Sequence, residues 1–248
     1  MKTTLSIFIF LSLLIHSLCA QDKEPDVNID FQAFLWPSHA PIAAIDPDGD
    51  SPPEQPGTAY TPPEVAYLEN GKGSTKTFQL LDDRLTGHLQ YRGSQQLTFY
   101  KPGTEISNPE ARVELGRIAI SPSAKELTIF FLPQANGKYQ LFSIETSATS
   151  IPPGNTLIYN LSTTRLACKL DTENFTIDSG KYALKQLSLP NKHYQPILVA
   201  SLRQDGEWQR SLARKLIVDK SDRLLLIIYN LEANPNSYNL MKLVFRPN

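Results

Sequence analysis

Apolar residues along the chain follow two patterns, and each predicts a kind of strand. In Lys125-Glu-Leu-Thr-Ile-Phe-Phe-Leu-Pro-Gln134 the positions from Leu127 to Leu132 are almost continuously apolar. The run is too short for a buried helix and rich in Ile and Phe, which predicts a strand covered on both faces. The turn Ala135-Asn-Gly137 follows, then Lys138-Tyr-Gln-Leu-Phe-Ser-Ile-Glu145, so the two segments read as a hairpin. The same layout recurs in Asp222-Arg-Leu-Leu-Leu-Ile-Ile-Tyr229, Ala233-Asn-Pro-Asn236 and the segment from Ser237 to Phe245.

The second pattern is short β-rich segments separated by turn chemistry. It predicts strands over 76–81, 87–92, 96–100, 111–120, 156–161, 166–170, 174–177, 182–187, 196–203, 208–218, 223–229 and 239–245. Pro152-Pro-Gly154 reads as a turn, and Tyr91-Arg-Gly93, Asp178-Ser-Gly180 and Gln204-Asp-Gly206 supply turn residues that tolerate positive φ. No segment carries a helical period, although Pro109-Glu-Ala-Arg-Val-Glu-Leu115 has residues for a single turn. A parallel βαβ protein would need crossover helices that are absent here, so the chain reads as all-β, an antiparallel β-sandwich, as one unit or as two tandem or duplicated sandwich units.

A shift of 97 residues supports duplication. It pairs Phe78 with Phe175, Arg117 with Arg214, Ile120 with Ile217 and Leu127 with Leu224. After a one-residue gap it also pairs Ala135-Asn136 with Ala233-Asn234. On this reading residues 74–171 form the first unit and 172–248 the second. The strand 156–161 then closes the first unit and has no later counterpart. Asn28-Ile-Asp-Phe-Gln-Ala-Phe-Leu-Trp36 is the free strand that would fill the gap, with Trp36 buried.

The N-terminal residues change the picture in compartment and charge. Met1-Lys-Thr-Thr, the apolar run Leu5–Leu14 and the small-residue end Leu18-Cys-Ala20 have the three regions of a secretory signal peptide, cleaved near Ala20. Cys19 raises lipidation as an alternative, but Leu18 stands where that processing needs a small residue. With Cys19 removed, Cys168 is the only cysteine of a mature chain of about 228 residues, so no intrachain disulfide forms. Nothing later approaches the roughly 20 apolar residues of a membrane helix. A secreted or periplasmic protein with no membrane span is expected.

Residues 21–73 combine the strand 28–36 with a linker carrying Pro37, Pro41, Pro47, Pro52, Pro53, Pro56, Pro62 and Pro63. Ten acidic residues stand against two basic ones in 21–73, a charge of −8, whereas residues 74–248 carry 21 basic and 15 acidic residues, +6. This is an acidic solvated arm, or one that lies against the basic body or screens it from a polyanion. A charge of +6 spread over so many strands is no nucleic-acid signature.

Candidate chemistry is sparse. Asp46, Asp48 and Asp50 alternate as calcium ligands do, with Glu54 following. However, Ser51 stands where the loop needs Gly, and Gly57 where it needs a bidentate Glu. His39, His88, His193 and Cys168 are the ligand types of a blue-copper site, at the wrong downstream spacing. Cys168, within Leu-Ala-Cys-Lys-Leu, reads instead as a small buried hydrophobe. There is no Gly-x-Ser-x-Gly elbow, and Asp82-Asp83 are adjacent carboxylates in a turn. No catalytic, cofactor or metal residue is therefore assigned. Asn160-Leu-Ser and Asn174-Phe-Thr are glycosylation sequons. Trp36 and Trp208 read first as core plugs and second as carbohydrate platforms.

The Ile- and Leu-rich strands, Tyr139 after Asn-Gly, Pro152-Pro-Gly154, Tyr159-Asn-Leu-Ser162 and Gly206-Glu-Trp208 together resemble secreted β-sandwich proteins of Gram-negative bacteria that carry no characterised activity. The resemblance spans residues 28–245 and rests on turn and core positions. It implies export and fold class and carries over no functional residue. The expected function is a non-catalytic module of the periplasm or cell envelope that binds a protein or polysaccharide partner. The alternative is a small-molecule carrier with a cavity between its sheets, and a hydrolase ranks third. An apolar cavity would favour the carrier, and a surface patch with an exposed aromatic would favour the module.

Overall fold

The computed structural model describes residues 26–36, 62–69, 74–82, 84–103, 108, 110–187, 194–202, 206–231 and 234–246. The signal segment, Cys19, the prolines from Pro37 to Pro56, Asp46, Asp48, Asp50, Asp83, His39 and His193 lie outside them. The fold is all-β. Sixteen strands form four four-stranded sheets, and no described residue is helical.

The chain divides into two compact units, Met1–Ile144 and Glu145–Asn248. In the first, β1 (Val27–Leu35), β4 (Leu89–Gly93), β7 (Glu126–Pro133) and β8 (Tyr139–Glu145) make one sheet in the order β4-β1-β7-β8. Its second sheet, β3-β2-β5-β6, holds β2 (Glu64–Glu69), β3 (Ser74–Gln79), β5 (Gln96–Tyr100) and β6 (Glu114–Ala119). One core joins the two sheets, drawing Phe31, Tyr91 and Phe131 from the first and Tyr67, Phe78 and Phe99 from the second.

The second unit repeats this topology strand for strand. β9 (Asn155–Asn160), β12 (Tyr182–Gln186), β15 (Arg223–Leu231) and β16 (Asn234–Phe245) are ordered β12-β9-β15-β16. β10 (Leu166–Leu170), β11 (Glu173–Ile177), β13 (Tyr194–Leu202) and β14 (Trp208–Ile217) are ordered β11-β10-β13-β14. Each strand of the first unit thus corresponds to the strand eight places later. In both units the first strand inserts between the fourth and the seventh and runs parallel to the seventh. Leu127 and Leu224, matched by the 97-residue shift, take equivalent partners in these parallel pairs, Phe31 and Thr156.

This arrangement corrects the expected boundaries. The division falls at 144/145 rather than 171/172, because the strand at 155–160 opens the second unit and does not close the first. The strand at 27–35 belongs to the body, as expected, but lies at the centre of a first-unit sheet and fills no gap in the second unit. Trp36 is half-buried; its N–H donates to the Phe131 carbonyl at 2.8 Å, and its ring meets Phe130 and Phe142 edge-on. β2 falls inside the segment assigned to the linker. The Pro63 carbonyl accepts from Leu80 N–H, so the last prolines of that segment are built into the sheet end.

Both central hairpin strands are covered on two faces, as their continuous apolar runs predict. Leu127–Phe131 and Leu224–Ile228 are buried at every position. The β7–β8 turn is closed by Gln134 N–H to the Lys138 carbonyl at 2.9 Å, and Gly137 takes a φ of 74° that a side chain would resist. Gly180 and Gly206 have positive φ as expected, whereas Gly93 does not. Gly93 instead leaves room, since a Cβ there would lie 2.7 Å from the Tyr91 hydroxyl, which donates to the Ser94 carbonyl.

The cores differ in chemistry. The first is aromatic, with Phe31 edge-on to Tyr67, Phe78 and Phe99, and Phe99 edge-on to Phe131. The second is mainly aliphatic, built from Ile158, Leu166, Ile197, Val199, Leu224, Leu226 and Ile228. Where the first unit has Phe31, the second has buried Thr156, whose hydroxyl finds no hydrogen-bond partner.

Candidate binding face

β13 alternates strictly. Gln195, Ile197, Val199 and Ser201 turn into the core of the second unit. A strand with one solvated face would place polar residues at the other positions. β13 places Tyr194, Pro196, Leu198, Ala200 and Leu202 there. The neighbouring strand continues the pattern through the pairs Tyr194–Ile217, Pro196–Lys215, Leu198–Ala213, Ala200–Arg210 and Leu202–Trp208.

A β-bulge decides which side chains of β14 join this face. Val199 pairs with Leu212 and Ala200 with Arg210, leaving Ser211 as the extra residue. Its hydroxyl lies 2.8 Å from that of Ser201. Without the bulge, strand parity would send Arg210 inward opposite Ser201. With it, Arg210 and Trp208 both turn outward beside Ala200 and Leu202. On the other side of β13, β10 sets Lys169 beside Leu198 and Ala167 beside Ala200. Asn174 and Thr176 of β11 extend those rows.

Eight large apolar side chains are exposed among the described residues, and five of them are Tyr194, Leu198, Leu202, Trp208 and Ile217. Scattered apolar residues are ordinary on a protein surface, but a contiguous set is not. Ile217 is 76% exposed and Trp208 46%, so Trp208 is no core plug. Ala167 and Ala200, being small, floor an open groove of about 570 Å³, with Leu198, Phe175, Lys169, Thr176 and Arg210 around it. A second groove of about 260 Å³ is lined by Arg214, Lys215, Leu216, Ile217, Leu240 and Lys242. Neither groove has a carboxylate in its lining. Arg165 lies 3.2 Å from Asp178 at one end of the face, and Lys215 sits over the Tyr194 ring at 5.2 Å.

The corresponding face of the first unit is different. Its fifth strand turns Gln96, Thr98 and Tyr100 outward, and Arg117 of β6 is paired with Glu114 at 2.8 Å. The apolar and basic character therefore belongs to one unit and is no requirement of the shared topology.

Of the ligand-type residues singled out by sequence, His39 and His193 lie outside the described residues. Cys168 turns inward and burial pushes its thiol pKa up to about 12, which suits a small core hydrophobe and leaves no thiolate near neutrality. His88 and Asp82 are exposed. Among the described residues no group of three or more His, Cys, Asp or Glu is placed to hold a metal ion, and no helix is long and apolar enough to cross a membrane. No protein-family model matches the chain, and no curated protein matches it.

The two sequons separate cleanly. Asn160 is fully buried; its amide donates to the Thr164 and Ile177 carbonyls, and its Oδ1 accepts from Ser162 N–H and Oγ. Asn174 is exposed on β11. Folded protein secreted from a glycosylating host is expected to carry one N-glycan, at Asn174. Mass spectrometry checks this, with Asn174→Gln removing the whole glycan mass; a glycan on Asn160 of folded protein would contradict the buried geometry.

Proposed function

We propose that the protein is a non-catalytic, exported binding module of the periplasm or cell envelope whose ligand is a protein or a polysaccharide. The contact surface on this reading is the outer face of β10, β13 and β14. One observation carries it: five of the eight exposed large apolar side chains fall in register on this face, around a groove rimmed by Lys169 and Arg210. Exposing such a patch has a cost in solubility that a binding role offsets. The export component rests on the signal-peptide pattern of residues 1–20. The carrier reading fares less well, because the two grooves described are open to the surface rather than enclosed between sheets.

Envelope fractions passed over immobilised wild-type chain and over a Leu198→Glu/Trp208→Ala double variant test the proposal. Both positions are exposed, so the variant is expected to keep its melting temperature within a few degrees. A component retained by the wild type is expected to wash off the variant. Equal retention on both columns, or none on either, would overturn the assignment to this face.

A further inference from the structure

We infer that this face takes an extended, acidic segment of a partner protein, which adds to the sheet as a fifth strand beside β14. The inference rests on the proposed binding role and specifies its ligand. β14 ends its sheet: among the described residues it pairs with β13 on one side and with no strand on the other. An edge of this kind presents a row of main-chain donors and acceptors that another chain can pair with, here up to its C-terminal end, where β16 approaches and Lys242 already takes the Ile217 carbonyl. Ten residues long, β14 is also a longer template than β6, its six-residue counterpart in the first unit.

Charge selects the partner. Trp208-Gln-Arg-Ser-Leu-Ala-Arg-Lys-Leu-Ile217 holds three cations and no carboxylate. Lys242 adds a fourth cation to the groove at its C-terminal end, where its ammonium donates to the Ile217 carbonyl at 3.0 Å. A second copy of β14 laid against the first would set cation against cation, so self-pairing is disfavoured. A polysaccharide would find charge here but no use for the branched aliphatic side chains of Leu198, Leu202 and Ile217, which a peptide can cover.

The outward row of β14 reads Trp208, Arg210, Ala213, Lys215, Ile217. A strand added about 4.8 Å away would place alternate side chains next to that row. The complementary segment is apolar, acidic, small, acidic, apolar at alternate positions.

The probe is a nine-residue peptide labelled at its N-terminus, fluorescein-Leu-Thr-Glu-Thr-Ser-Thr-Glu-Thr-Leu-amide, titrated by anisotropy with the whole chain. A lysine-for-glutamate version and two versions N-methylated at alternate amides, one for each alternation, serve as comparisons. The acidic peptide is expected to bind at least tenfold tighter than the lysine version, and Arg210→Glu with Lys215→Glu to abolish that preference. Arg117→Glu, in the corresponding strand of the first unit, is expected to leave it intact. One N-methylated version is expected to lose at least tenfold, because its edge-facing donors are gone while its charge is unchanged; this arm uses unaltered protein. Equal binding by both N-methylated versions, or a preference that survives the double charge reversal, would overturn strand addition. Polygalacturonate binding through Trp208 without peptide binding would also overturn it while leaving the proposed binding function standing. So would a dimer, seen by sedimentation, that the double reversal dissolves.

Discussion

A chain that begins at Pro62, and so lacks β1, is expected to lose the folded state of the first unit. Val27, Ile29, Phe31, Phe34 and Leu35 are each less than a tenth exposed. Burying such side chains contributes about 1.5–3 kcal/mol apiece, on the order of 10 kcal/mol together. Whole domains are stable by only about 5–15 kcal/mol. The strand also occupies the middle of its sheet, pairing with β4 from Val27 to Phe31 and with β7 from Asp30 to Leu35. Its removal separates β4 from the sheet and uncovers the ladder groups of β7. Near-ultraviolet circular dichroism reads the result, because Phe31, Tyr67, Phe78, Phe99 and Phe131 are packed edge-on in this unit. An aromatic band and a thermal transition unchanged from the full chain would show that β1 is dispensable.

How far sequence could foresee this fold depended on how local each determinant is. The β7–β8 hairpin was legible because its apolar run, its Asn136-Gly137 turn and its second strand are contiguous. The duplication was half-legible for a reason the connections explain. Between the first and second strands the chain runs through residues 36–63 in the first unit but only 161–165 in the second. A constant shift therefore aligns β7 with β15 and misplaces β1 against β9, and the unit boundary moves with it. β2 was hidden by the prolines that lead into it, although Pro63 ends up as a hydrogen-bond acceptor at the sheet end.

The candidate face was not foreseen, although one signal was present. Tyr194–Leu202 is apolar at both strand parities except at Gln195 and Ser201, and those two polar residues are the ones that turn inward. Strand periodicity alone assigns the apolar Ile197 and Val199 to the core and says nothing about where Leu198 and Leu202 go. The bulge at Ser211 carries no sequence mark, yet it decides that Arg210 and Trp208 face outward. The charge of the face was equally hidden, because the excess over 74–248 looks diffuse until the register gathers Lys169, Arg210 and Lys215 onto one surface.

Truncating Phe131 to Ala is expected to destabilise the first unit by about 3–5 kcal/mol, the range for emptying an aromatic site in a well-packed core. Phe131 has no exposed surface and touches rings on three sides: Phe99 at 4.9 Å, Tyr139 at 5.5 Å and Phe78 at 6.2 Å. Each edge-on contact contributes about 0.5–1.5 kcal/mol beyond the area it covers, so the loss is not the transfer of one ring alone. The site also closes poorly. Phe99 and Phe78 lie in the facing sheet, and β7 is held by β1 on one side and β8 on the other, so backbone shifts cannot fill the hole. At roughly 2–8 °C per kcal/mol for domains of this size, the melting temperature should fall by about 10 °C or more. Phe131→Leu retains most of the volume and is expected to lose only about 1–1.5 kcal/mol. That variant separates packing from a general intolerance of change at the site. A thermal melt of Phe131→Ala that coincides with wild type would mean that β7 is not the central strand of the first unit.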